Sequence, residues 1–157
     1  MKRLLLVVLL IAAFQVSAQQ SDRVVRASAF ILEDEQGEKR AVLRLATKHT
    51  PELVLYDENG NSRISFLMIA DETWLKLEDG KGKRSITLSA GRHETALQIF
   101  DEKDKVRADI GVGENNWPML RLFDGNGKVR LVLIVGDEGP GLVLTDENGK
   151  LKFFSTP

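Results

Sequence analysis

From residue 30 onward, apolar side chains fall at every second position in short runs, and polar turn-forming clusters separate the runs. A period of two is the strand period, because successive side chains point to opposite faces. The pattern itself repeats. Asp34, Asp57, Asp79, Asp101, Asp124 and Asp146 lie 23, 22, 22, 23 and 22 residues apart. Four and two residues before each Asp stand Phe30/Leu32, Leu53/Leu55, Leu75/Leu77, Leu97/Ile99, Leu120/Leu122 and Leu142/Leu144. Seven, nine and eleven residues after it stand Ala41/Leu43/Leu45, Ile64/Phe66/Met68, Ile86/Leu88/Ala90, Ala108/Ile110/Val112 and Leu131/Leu133/Val135; the sixth repeat stops at Phe153. Each repeat therefore holds two strands, and six repeats predict up to twelve.

The fold class that follows is all-β: six hairpin repeats of 22–23 residues forming a continuous antiparallel meander. Asn59-Gly60, Asn126-Gly127 and Asn148-Gly149 predict two-residue type I′ turns, with Gln36-Gly37 and Lys81-Gly82 as weaker versions. Asp104 replaces the expected Gly in the fourth repeat, which predicts a looser turn. A two-residue turn at Asn59-Gly60 puts Leu55 opposite Ile64 and Leu53 opposite Phe66, all on one face; a one-residue slip would scatter them. The connectors at Thr50-Pro51, Asp71-Glu72, Gly91-Arg92, Asn115-Asn116 and Gly136–Pro140 carry loop chemistry. A meander of this width closes as a barrel, flattens into a sandwich or coils as a spiral sheet. The alternative is a β-solenoid with two strands and two turns per coil. In the meander the Leu/Ile/Phe stripe is the core.

The pattern resembles that of a group of secreted bacterial proteins that tile Leu-x-Leu-x-Asp-x-x-Gly-x-x-Arg hairpins, over residues 30–153, as in LVLYDENGNSRISFLM at 53–68. It is similar, more loosely, to the YD repeats of large bacterial toxin shells. Leu-x-Leu replaces most of their Tyr, so no shell role is carried over. The first resemblance implies a hairpin array and no activity.

Residues 1–18 read as a signal peptide: Lys2 and Arg3, an apolar run from Leu4 to Phe14, then Val16, Ser17 and Ala18 at the cleavage site. The run is too short for a comfortable membrane span. Residues 19–157 are then one β-hairpin repeat domain, exported to a bacterial periplasm or exterior, with no membrane span after signal cleavage. An outer-membrane barrel is excluded by short strands and sparse aromatics, one Tyr and two Trp.

Charge narrows the function classes. The 22 Lys+Arg against 23 Asp+Glu leave no basic excess for nucleic acid. The chain has no Cys, hence no disulfide, thiolate metal site or Cys nucleophile. The repeated Asp lack the spacing of a calcium loop and are expected to bond turn backbone and the base six residues on: Arg40, Arg63, Arg107, Arg130 and Lys152. His49 and His93 fall four strands apart, about 19 Å at ~4.8 Å per strand, too far for one metal site. Ser89 and Ser155 have no His nearby in this register. No catalytic, cofactor or metal residue is assigned, and the protein is not expected to be an enzyme.

The face opposite the Leu stripe varies along the array. It is polar in the third repeat (Lys76, Glu78, Thr87, Ser89) and apolar at both ends: Ile31, Val42, Val54, Tyr56 and Leu67 early, Phe123, Val132, Ile134, Val143 and Phe154 late. Closure of the sheet would merge the two ends into one patch. Trp74 and Trp117 are placed in connectors, on the rim carrying the His residues. The candidate partner-binding residues are therefore Phe123, Val132, Ile134, Val143, Phe154, Tyr56, Leu67, Trp74 and Trp117. The expected function is a structural or interaction platform, self-associating or binding an envelope protein. The alternative is a small-molecule or glycan carrier using a barrel lumen or the rim aromatics.

Overall fold

A computed structural model describes residues 24–155. The signal-peptide assignment at 1–18 lies outside them. Twelve strands follow in chain order: β1 (Ala29–Glu33), β2 (Lys39–Thr47), β3 (Thr50–Tyr56), β4 (Ser62–Ile69), β5 (Glu72–Glu78), β6 (Ser85–Ala90), β7 (Thr95–Phe100), β8 (Val106–Val112), β9 (Pro118–Phe123), β10 (Val129–Gly136), β11 (Gly139–Thr145) and β12 (Leu151–Ser155). They form one sheet in the order β1 to β12, every pair antiparallel. The expected meander forms, and the solenoid does not. The sheet does not close into a barrel, because β1 and β12 are both edges.

Strands touch only their sequence neighbours. The described residues form no second layer, so the sandwich expectation also fails among them. The consequence appears in the burial. Among the described residues the buried apolar side chains are Val42, Val54 and Ala96, and no large side chain is fully buried. The Leu stripe, expected to be core, is open: Leu32 is 63% exposed, Phe66 44%, Leu88 43% and Ile110 53%. Repeats with short turns place each hairpin beside the last, not above it, so none of the described residues returns to cover the stripe. Each such Leu forgoes much of the roughly 1.5–3 kcal/mol that full burial supplies.

The turns differ from the expected type I′ and explain the repeat. In five hairpins Asp N–H bonds the carbonyl four residues on, for example Asp57 to Asn61 at 2.9 Å. The N–H at the third position, Gly60 in this hairpin, bonds the Asp57 carbonyl at 3.1 Å. This is a three-residue loop: a type I turn followed by one left-handed residue. Gly37, Gly60, Gly127 and Gly149 hold that position with φ between 78° and 82°, and Asp104 holds it at 57°. The Asp104 turn thus has the shared geometry rather than a looser one.

A three-residue loop should flip the strand, yet the apolar faces stay aligned. Each of these five hairpins corrects itself with a bulge. Leu55 pairs with Ile64 but Tyr56 pairs with Ser62, leaving Arg63 extra. Arg40, Arg107, Arg130 and Lys152 are passed over in the same way. The third hairpin has no bulge; Glu78 pairs with Ser85 and Asp79 N–H bonds Arg84. It is also the repeat with Ser85 where the others have a base. An extra residue and an odd loop together preserve register.

Candidate functional site

The six turn carboxylates build the rim. In every hairpin Asp Oδ1 accepts two backbone N–H bonds, from the second and fourth residues on, at 2.8–3.2 Å. In five, Oδ2 meets the bulged base: Arg40, Arg63, Arg107, Arg130 or Lys152. These bonds hold all six carboxyls below their usual 3.8. For Asp34, Asp79, Asp101, Asp124 and Asp146 the largest cause is a backbone N–H donated to the carboxylate. At Asp57 desolvation is the largest influence and raises the pKa, but the N–H groups of Asn61 and Asn59 outweigh it. The bases also stitch hairpins together: Arg40 donates to the Asp57 carbonyl, Arg63 to that of Glu78 at 2.9 Å and Arg107 to that of Phe123 at 3.1 Å. The carboxylates are spent on turn geometry, and among the described residues no cluster of three or more His, Asp or Glu could hold a metal ion. His93 Nδ1 meets Glu114 at 2.6 Å, with both side chains exposed.

The two faces of the sheet differ sharply. On the Leu face one unbroken ladder crosses the sheet: Phe30, Leu43, Leu53, Phe66, Leu75, Leu88, Leu97, Ile110, Leu120, Leu133 and Leu142, each opposite the next, ending at Ser155. A second ladder runs beside it from Leu32 to Phe153, with small residues at Ala41 and Ala108. Neither ladder contains a charge. Two shallow apolar grooves cross this face, one walled by Phe66, Leu75, Leu88 and Leu97, the other by Ile110, Leu120 and Leu133.

The opposite face reads Ile31, Val42, Val54, Ser65, Lys76, Thr87, Gln98, Asp109, Arg121, Val132, Val143 and Phe154 across the strands. Its ends are apolar and its centre polar, as the sequence predicts. Because the sheet stays open, the ends do not merge. Val42, Val54 and Thr87 on this face are buried although the sheet is a single layer.

The sequence-derived partner residues divide accordingly. Tyr56, Leu67 and Trp74 lie near one end, and Trp74 sits within β5, opposite Leu67 and Ser89, rather than in a connector. Its indole N–H is buried with no acceptor. Phe123, Val132, Ile134, Val143 and Phe154 lie toward the other end. Four of the nine meet there: Trp117, Ile134, Val143 and Phe154 line a cleft of about 270 Å³, with Gly136, Gly139 and Gly141 as its small residues and Asp137 and Glu138 on its rim. A Cβ on Gly136 would come within 3.3 Å of the Trp117 ring, whose N–H reaches Asp137 at 3.3 Å. Except for exposed Phe154, these partner residues are half-buried.

No protein-family model matches this chain, and no curated protein is similar to it.

The sequence reading passed over two features. One is the open Leu face itself. The other is the Asp109–Arg121 pair, which register arithmetic could have found: with Ile110 opposite Leu120, Asp109 must face Arg121. Glu94 lies 4.0 Å from Arg121, and Phe123 presents its ring 5.9 Å away. Asp109, the most buried charged residue among those described, draws the Arg121 pKa upward through their hydrogen bond.

Proposed function

We propose that this is an exported, non-enzymatic structural protein, periplasmic or extracellular, whose work is to present a wide β platform to another macromolecular surface. The observation that supports this most is the uncharged double ladder, open across all twelve strands in a sheet with three buried apolar residues. A folded chain offsets its conformational entropy chiefly by burying apolar area. A single layer leaves that area available, and exposed apolar patches of this extent mark contact surfaces. Export rests on the layout of residues 1–18. The candidate interaction surface therefore moves from the two apolar ends to the whole Leu face.

The test is solution mass by size exclusion with light scattering, read together with binding of an apolar fluorescent dye. A platform predicts either an assembly, or a monomer that binds the dye strongly. A stable monomer that ignores the dye would mean the face is covered within the chain, and the reading fails.

A second reading, a carrier of small molecules or glycans, loses its barrel lumen because the sheet is open. It keeps the Trp117 cleft, where an aromatic wall and two rim carboxylates suit a ligand with an apolar face and polar edges. Quenching or a shift of Trp117 emission on adding sugars, abolished in Trp117→Ala, would favour it.

A further inference from the structure

We propose that the occupant of the Leu face is a second copy of this chain, docked face to face in a two-layer sandwich. This rests on the platform reading and names its partner.

Four observations converge on a copy rather than a different protein. First, the asymmetry of the sheet is that of one half of a sandwich. Its two Leu-face ladders are uncharged, with charge only at the turn rim, while the opposite face carries Lys76, Gln98, Asp109 and Arg121 at its centre. Sandwich sheets turn their apolar side inward; here the buried side chains, Val42, Val54, Ser85, Thr87, Ala96 and Asp109, all lie on the opposite face, which leaves the Leu face as the uncovered one. What is missing is the other sheet.

Second, the surface is self-complementary. In an isologous pair the same patch must fit itself. A charged patch would bring like charges together at the axis. Two uncharged ladders meet without that cost. The grooves beside Phe66 and Leu120 can receive ridges from the facing copy, and the notches at Ala41 and Ala108 leave room for larger side chains.

Third, the area suffices. Twelve strands at about 4.8 Å span roughly 50 Å, and the paired segments are about 20 Å long. Each copy offers about 1,000 Å², so the pair would bury about 2,000 Å², the upper end of the standard size for a stable interface. Fourth, the remaining apolar stretch of this chain is too small to do the job. Leu4 to Phe14, laid flat, would cover about one strand's width and is assigned to a cleaved signal. Two sheets of the same sequence also share one twist, which lets them stack aligned at about 10 Å.

The absence of Cys makes the test clean. Single cysteines are placed in the 19–157 chain at Leu88 or Leu97, paired near the middle of the Leu face on β6 and β7. A control cysteine replaces Lys76, on the opposite face of β5 and 41% exposed. The expected result is a solution mass of two chains, with a short bis-maleimide linker joining copies through L88C or L97C at least tenfold faster than through K76C. Circular dichroism confirms that each variant keeps its sheet. Dimers that cross-link through I134C and not through L88C or L97C would overturn the proposal while leaving the platform reading intact, since the chain would still associate. A dye-binding monomer would also overturn it, pointing to another protein or an apolar surface as occupant. A dye-silent monomer would overturn both readings.

Discussion

Asp109 of β8 and Arg121 of β9 face each other across the sheet, joined by a hydrogen bond from Nε to Oδ1 at 2.9 Å and an ion-pair contact of Nη2 with Oδ2 at 2.7 Å. Their surroundings are unequal: the Asp109 side chain is 3% exposed and that of Arg121 34%. Removing the arginine strands a buried carboxylate, whereas removing the aspartate leaves a cation that reaches water and Glu94. Arg121→Met should therefore cost about 3 kcal/mol and Asp109→Ala about 1–2 kcal/mol. Urea unfolding of both variants checks this; equal costs or the reverse order would refute the asymmetry.

The left-handed turn position gives a paired prediction. Gly60 sits at φ 78° with open space around it, so Gly60→Ala should destabilise by about 1 kcal/mol through backbone strain alone. Asp104 occupies the equivalent place at φ 57°. Asp104→Gly should then stabilise by a few tenths of a kcal/mol, since Asp tolerates this region better than most residues. A clear loss of stability in Asp104→Gly would show that its carboxylate serves more than the turn.

Acid should unravel the turns in a defined window. Asp34, Asp57, Asp79, Asp101, Asp124 and Asp146 all titrate below 3.8 when folded. A depressed carboxylate adds stability that is fully present above its unfolded pKa and is lost as pH falls through the folded one. Thermal midpoints should hold steady from pH 7 to about 5, begin to fall near pH 4 and drop steeply below 3.8. Midpoints that rise on acidification below pH 4 would contradict the turn chemistry.

The Trp117 cleft depends on a missing methyl. Gly136→Ala would press a Cβ to 3.3 Å from the indole. The ring should tilt away from Asp137, changing Trp117 emission and costing about 1 kcal/mol. An unchanged spectrum in a Trp74→Phe background, where Trp117 is the remaining indole, would place the ring elsewhere.

The repeat, the strand count and the antiparallel order were legible because each rests on local rules: period-two apolar positions, Gly at turns and register parity. The turn type was misread because Asn-Gly suits a type I′ turn equally well. The decisive residue lay outside the turn: Arg63 and its equivalents, whose bulge absorbs the odd loop. The spacing of base after Asp carried that information, and its absence at Ser85 marked the one hairpin without a bulge. The core was misread for a different reason. Alternation says which residues share a face, not whether anything covers it; Leu88 and Leu97 look the same in sequence whether a sheet is one layer or two. At the rim, Trp74 was misplaced by two residues of strand length, enough to turn a supposed loop aromatic into a side chain packed beside Leu67.

Contacts that run only between chain neighbours make the fold a linear zipper. Contact order is therefore low, so a nucleus of any two hairpins could form quickly and grow in either direction. Fraying would begin at the outer strands, Ala29–Glu33 and Leu151–Ser155, and spread inward one hairpin at a time. For the same reason hairpins could be gained or lost from the array in whole units without redesigning the rest, its length being set by how many units the gene happens to encode.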